Sequence, residues 1–396
     1  MTDKLYERDS HIRRFEAKVL SCEKMPSENK SSSNEEALFE VVLDKTAFFP
    51  GGGGQKADGG TINGIKVTAV KQRGDEVIHC IALKLTAGES VIGEIDWESR
   101  LSRMQNHSGE HILSGLINSE YGFDNVGFHM GSEFLEIDFS GKLNGEDIKH
   151  IEKRANEIIA ANNPVNILFP KDDELDKITY RSKGELSGQV RIVEITGADR
   201  CACCAPHVKQ TGEVGIIKIL KFLPNRGGTR LNVVCGMDAL EDYNRKSEEL
   251  SLISRAVSAK QDSASKAVER LVAQQEITKQ ALSSLNRSVL EMRIASLPER
   301  VEGNICIFES AYFDAVCARA LANEAVLHTD AIAAVFCGSD REGYRYCISS
   351  SAVDLKEKLC QINEALKGNG GGSAVMIQGN CKAGEVKIKR FFDSFK

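Results

Sequence analysis

The sequence predicts an α+β protein of four consecutive parts: a small β-barrel-like domain (1–97), an α/β domain (98–237), a long helical segment (238–297) and a C-terminal α/β domain (298–396). Three observations predict it. The first hundred residues hold short alternating or β-branched runs separated by turn signals. Strand-like and helix-like runs then alternate. From Asp238 to Leu297 there is neither glycine nor proline, which favours helix.

The bulk numbers bound the class. At roughly 100–200 residues per domain, 396 residues allow several domains. A 41% hydrophobic content supplies real cores, and no run reaches the ~18 apolar residues that read as a membrane span. The start, "MTDKLYERDSHIRRF", has no apolar region of the kind a secretory signal needs. Twelve cysteines without a tight framework read as reduced thiols, and the expected location is cytoplasmic. The net charge of −6 counts mildly against a nucleic-acid binder, while the tail "KAGEVKIKRFFDSFK" is locally basic.

The elements follow in order. "FEAKVLSC", "ALFEVVLD", "GIKVTAVKQ" and "EVIHCIAL" read as strands, with "PSENKSSSNEE" a solvated loop and "FFPGGGGQKADGG" a glycine-rich loop after a strand. A helix covers Arg103 to Tyr121. "FLEIDFSG", "VRIVEI", "VGIIKILKF" and "TRLNVVCG" read as strands, and "GEDIKHIEKRANEIIAAN" as an amphipathic helix stopped near Pro164. In the helical segment the apolar seam slips between Val257 and Val268, so a long helix or a helical hairpin is preferred to a coiled coil. Pro298 ends it. In the last part "NICIFES" and "AIAAVFCG" read as strands, "FDAVCARALANEA" and "AVDLKEKLCQINEALKG" as helices, and "GNGGGSAVMIQG" as a second glycine-rich loop.

Two motifs carry chemistry. "RMQNHSGEHIL" sets His107 and His111 one helical turn apart on one face, a spacing that suits one zinc ion. It is not the metalloprotease motif, because Ser108 stands where that motif needs glutamate. "DRCACCAPHVKQTGEVG" offers Cys203 and His207 with three residues between them, and three imidazoles with one thiolate complete a tetrahedron. Cys201 or Cys204 can replace Cys203 geometrically, and a loop of buried free cysteines is the plainer reading.

"NHSGEHIL" with "VRIVEITGADRCACCAPHV", preceded by "LDKTAFFPGGGGQKADGG", resembles the editing domain of alanyl-tRNA synthetases. It is still more similar to the freestanding alanyl-tRNA editing proteins of the AlaX type, in the long form. The resemblance implies an editing domain of the threonyl/alanyl-tRNA synthetase type and a C-terminal domain like that of the synthetase. It implies one Zn2+ per chain on His107, His111, Cys203 and His207. It implies Gln55 and Thr46 as catalytic groups, with Thr46 preferring serine through its hydroxyl. Gly52, Gly53 and Gly54 would approach the RNA end. The sequence departs from the family at Cys204-Ala205-Pro206, where the usual motif has Gly-Gly-Thr. Pro206 fixes φ and removes an N–H.

The implied activity is hydrolysis of tRNA-Ala mischarged with serine or glycine. No aminoacylation domain precedes the β segment in this sequence, so the resemblance implies an editor acting in trans. The implied metal polarises the ester, holds the substrate or activates water. Two rivals stand beside it: a non-catalytic tRNA-binding protein with a structural zinc, and a zinc hydrolase of another ester. The helical periodicity favours intrachain packing or a homodimer through 238–396, and no membrane partner is expected.

Overall fold

Strict alternation in Arg14–Lys24 buries Phe15, Ala17 and Val19 on one face. This strand pairs with Phe39–Leu43 on one side and Ser90–Ile95 on the other. Glu76–Ile81, Ile65–Arg73 and Gly60–Ile62 complete a closed six-stranded barrel. Its interior is one cluster that includes Val41, Leu43, Phe48, Ile62, Val77 and Ile81. The computed structural model describes residues 2–25, 37–175, 177–182 and 189–395. The solvated loop expected over Pro26–Glu36 lies outside the described residues.

The chain divides into two compact units, Met1–Glu249 and Leu250–Lys396. In the first, the barrel's last strand runs into the helix Trp97–Tyr121. The Asp96 carboxylate accepts from Ser99 N at 3.3 Å and caps its start, and Gly122 ends it at φ 70°. Ile217–Asn225, Gly228–Cys235, Leu135–Phe139 and Asn125–Met130 form a four-stranded antiparallel sheet in that order. Val165–Leu168, Ile192–Ile195 and Asp199–Ala202 form a three-stranded one. The helix Gly145–Ala160 carries a full capping box at Asn144 and Asp147. One core joins these parts, from Met104, Ile112, Leu113 and Leu116 on the long helix to Ile137, Val193, Ile195, Leu231 and Val233 on the strands.

One expectation is narrowed and one is corrected. Of the two forms left open for the segment from Asp238, a single continuous helix is not found. Gly236–Ala256 and Ala264–Ala295 are separate helices, and Ser258 at φ 51° breaks the path between them, where the apolar seam slips. The second glycine-rich stretch is not a loop either. Gly368–Gly372 is the edge strand of a five-stranded sheet and pairs with Met376–Cys381. A Cβ at Gly370 would fall 2.7 Å from the Gln378 carbonyl oxygen and also run into the Tyr346 hydroxyl, so only glycine fits there. In this second unit Phe336, Ile348, Ile362, Leu366, Ile377 and Phe392 build the core. The basic tail is the helix Glu385–Ser394.

All twelve cysteines are free thiols. Among the described residues no helix is long and apolar enough to cross a membrane.

Candidate functional site

The long helix is not amphipathic where it matters. Every residue from Met104 to Ile117 is buried, His107 and His111 among them. Burying an imidazole without partners is costly, so the partners define the site.

The two histidine rings lie 5.2 Å apart by centroid. His207, from the loop after the strand Asp199–Ala202, comes to 4.7 Å from His107 and 4.6 Å from His111. The Cys203 Sγ is 3.4 Å from His207 Nε2 and 3.7 Å from His107 Nε2. One donor atom from each of the four residues fits within a 4.8 Å spread. Tetrahedral zinc bound to nitrogen and sulfur sets its donors about 3.3–3.8 Å apart, so the set fits that ion.

Each imidazole is held from behind. His107 Nδ1 donates to Gln55 Oε1 at 2.8 Å, and His111 Nδ1 donates to Asp199 Oδ2 at 2.9 Å. His207 Nδ1 meets Ser108 Oγ at 3.0 Å, and Val208 N also donates to that oxygen at 3.3 Å. The acceptor oxygens behind His107 and His111 place a proton on Nδ1, and the Nε2 side of each ring then faces the cluster, as metal-binding histidines require. Asp199 is fixed in turn by Arg181, at 2.8 and 2.7 Å.

The charges agree. Burial opposes ionisation of Cys203, yet His107 and His207 hold its thiol well below the ordinary value. Burial brings His207 down to about 3, so it is neutral. Burial also works against a charged His111, but Glu110 and Asp199 raise it well above the ordinary imidazole value. Asp199 is held at about 2 against its burial by His111 and Arg181. The cluster thus favours one positive charge beside a thiolate, which is what a metal cation supplies.

The glycine loop closes one side. Gly51, Gly52, Gly53 and Gly54 all have positive φ, from 57° to 149°. Gly52 and Gln55 exchange two backbone hydrogen bonds of 3.0 Å. This tight turn delivers the Gln55 side chain, only 3% exposed, to His107. Its Nε2 has no partner among the described residues. A Cβ on Gly54 would stand 2.4 Å from Phe128, whose ring lies 5.3 Å from His107. The loop's base is tied by Asp58, which accepts from Phe49 N at 2.6 Å and pairs with Arg100, both side chains fully buried. Arg100 also donates to the Ser10 and Ala47 carbonyls at 2.9 and 2.6 Å.

A cleft of about 360 Å³ opens onto the cluster, lined by His107, His111, Cys203, Cys204, Gly53 and Glu7 among others. A larger groove of about 440 Å³ beside Lys56, Arg103 and Asp238 contains none of the four donors.

The four metal candidates and Gln55 are therefore together, with Gly53 on the cleft. Gly52 turns the loop, and a Cβ there would meet Cys204 Sγ at 3.9 Å. Thr46 lies within the barrel part. Its buried hydroxyl donates to His79 Nε2 at 2.9 Å and accepts from Phe48 N at 3.1 Å. Burial holds His79 at about 4 and neutral, with Nδ1 donating to the Val41 carbonyl at 3.1 Å. The departure at 204–206 is accommodated through carbonyls. Arg191 donates to the Cys203 and Ala205 oxygens at 2.6 and 3.0 Å, a hold that needs no N–H from Pro206. Ala205 packs with Tyr6 and Phe49.

Residues 2–99 match the model of class II (A) tRNA synthetases, and residues 190–232 match the second additional domain of threonyl and alanyl tRNA synthetases. The chain is 29% identical over 402 aligned positions to the alanyl-tRNA editing protein Aarsd1 of Danio rerio, covering 95% of this chain and 93% of that one. It is 33% identical over 259 to the alanyl-tRNA editing protein AlaX-L of Pyrococcus horikoshii, covering 62% and 60%. These matches make the chain similar to the alanyl-tRNA editing proteins. A third relative is the alanine–tRNA ligase of Methanococcus maripaludis, 32% identical over 275 positions. That match covers 66% of this chain and 31% of the ligase, so both archaeal relatives are spanned over less than two thirds of their length.

Proposed function

We propose that this protein is a freestanding editor of the AlaX type, a trans-acting deacylase that hydrolyses seryl-tRNA-Ala, and glycyl-tRNA-Ala with it, in the cytoplasm. A synthetase pocket built for alanine rejects serine or glycine only weakly, and a second hydrolytic site makes up the difference. One observation carries the reading: three of the four donors, His107, His111 and Cys203, line an open cleft. Four protein ligands fill a tetrahedral zinc, so contact with the substrate would use a fifth position on the side that the cleft leaves open.

His107, His111, Cys203 and His207 would hold a zinc ion, which would supply Lewis-acid polarisation of the ester carbonyl. The chain supplies the rest. Gln55 orients His107, and its unpartnered Nε2 is a donor for the ester oxygen. Gly52, Gly53 and Gly54 admit the 3′ end of the RNA at close range. Thr46 retains one lone pair with which to accept from a serine hydroxyl. We assign the barrel-like part to 1–97, the zinc-binding editing domain to 98–237, the helical segment to 238–297 and the C-terminal domain, of the synthetase type, to 298–396. Residues 238–396 serve as the homodimer contact.

The test is the hydrolysis of seryl-tRNA-Ala and alanyl-tRNA-Ala by purified protein, beside a His111→Ala variant. The expected result is rapid loss of the seryl ester, sparing of the alanyl ester, and zinc content and activity lost together in the variant. A zinc-loaded, folded wild type that hydrolyses neither ester would leave the tRNA-binding reading instead. Full activity without metal would remove the zinc from the mechanism.

A further inference from the structure

An aminoacyl ester differs from most esters in one respect that the metal cluster does not read: it carries an ammonium on the carbon next to the carbonyl. At neutral pH that group is largely protonated and needs an acceptor when it leaves water. We infer that the Glu7 carboxylate is the acceptor, and so selects esters with a free α-amino group. This rests on the deacylase reading.

The cleft offers few alternatives. Its charged lining beyond the cluster consists of Glu7 and Arg191, with Gln189, Val190, Phe169 and Ala202 neutral. Glu7 is thus the one carboxylate among the described lining residues. Arg191 cannot take an ammonium, and its Nε and Nη1 donate to carbonyl oxygens.

Glu7 is held near the reacting centre by that same guanidinium. Arg191 Nε donates to the Glu7 carbonyl at 3.1 Å, while its other nitrogen donates to the carbonyl of the donor residue Cys203 at 2.6 Å. The spans of one guanidinium and two hydrogen bonds therefore separate the Glu7 backbone from that of a metal candidate.

The segment that carries Glu7 is fixed. Asp3–Lys4 pairs in parallel with Lys45–Thr46. Tyr6 is 2% exposed and meets the Phe49 ring edge-on at 5.4 Å, in the cluster that holds Ala205. The side chain of Glu7 itself stays 32% exposed, and its ion partner Lys4 stands 3.8 Å away, too far for a hydrogen bond. A partly exposed pair of that length is weak, so a substrate ammonium displaces Lys4 readily.

The test uses full-length, zinc-loaded protein and two non-hydrolysable probes: adenosine carrying a 3′-seryl amide, and its N-acetyl derivative, which has no charge on the amine. Binding is read by titration calorimetry. The wild type prefers the free amine. In Glu7→Gln the ratio of the two affinities falls about tenfold or more, the size of a charge-assisted hydrogen bond. Glu7→Asp keeps part of the preference, and zinc content and melting temperature mark either variant as folded. An unchanged ratio, or an equal loss on both probes, overturns the inference, because a general base or a structural role would not distinguish them. Wild-type hydrolysis of seryl-tRNA-Ala is measured alongside. Its presence with an unchanged ratio sinks the Glu7 role alone, and its absence sinks the deacylase reading.

Discussion

The Thr46 hydroxyl is engaged on two sides before any substrate arrives. It donates to His79 and accepts from Phe48 N, both inside the barrel part. Thr46→Val therefore leaves the buried His79 Nε2 without its donor and should cost about 1–3 kcal/mol of stability. If the spare lone pair also reads serine, the same variant lowers the seryl-to-alanyl hydrolysis ratio, and Thr46→Ser restores it. An unchanged ratio in a folded Thr46→Val protein removes Thr46 from substrate selection and leaves it a barrel residue. Residues differ in how far they can be read from sequence for the same reason that Thr46 is ambiguous. His107 with His111, and Cys203 with His207, announce themselves because each pair sits within one turn or one short loop. Glu7, Ser108, Arg181 and Arg191 carry no local spacing signal. The partner of Ser108 is His207, that of Glu7 is Arg191, and only the folded chain brings them together.

At the scale of elements, the helix Trp97–Tyr121 was legible as a helix but not as a buried one. Its polar residues suggest a solvent face, yet they are matched inside: Asn106 with Asp238 at 2.6 Å, Ser114 with Glu110 at 2.6 Å, and Arg100 with Asp58. The two glycine runs show the same limit. Both read as loops, and the second is a strand because it pairs with Met376–Cys381, where Tyr346 and Gln378 leave room only for glycine. Gly115 gives this a testable form. In an exposed helix Gly→Ala stabilises by about 1 kcal/mol. Here a Cβ would lie 2.2 Å from the Ala198 carbonyl oxygen and 2.6 Å from the Asp199 Cβ. Overpacking of that kind costs about 1–3 kcal/mol. Gly115→Ala should therefore lower the melting temperature. It should also weaken zinc binding, because the strand pushed away is the one that supplies Asp199 to His111. A more stable variant with full zinc content would show that the helix and strand have slack between them.

At the scale of the molecule, the sequence suggests an order of parts because each has its own periodicity: two in the barrel strands, mixed in the middle, three to four in the helices. The folded chain divides into two compact units, and the barrel strands and the sheets after them both belong to Met1–Glu249. Arg100 and Asp58 join them within that unit at one fully buried ion pair, a contact with no periodic trace in the sequence. Among the described residues, each apolar cluster falls wholly within one unit or the other. The four donor residues and their outer holders Gln55, Ser108 and Asp199 all lie in the first. A ligand that binds only the folded form stabilises it by RT ln(1 + [L]/Kd), about 4 kcal/mol at a thousandfold excess over Kd. Its effect is confined to the cooperative unit that holds the site. Calorimetry of the zinc-loaded full chain should therefore resolve two transitions, and chelation should lower one of them while the other keeps its midpoint. Limited proteolysis assigns the shifted transition, because the segment that becomes cleavable on chelation falls before residue 250. A chelator that leaves both midpoints in place would mean that the cluster carries no metal of consequence to the fold. One that lowers both equally would mean that the chain unfolds as a single cooperative body despite its separate cores.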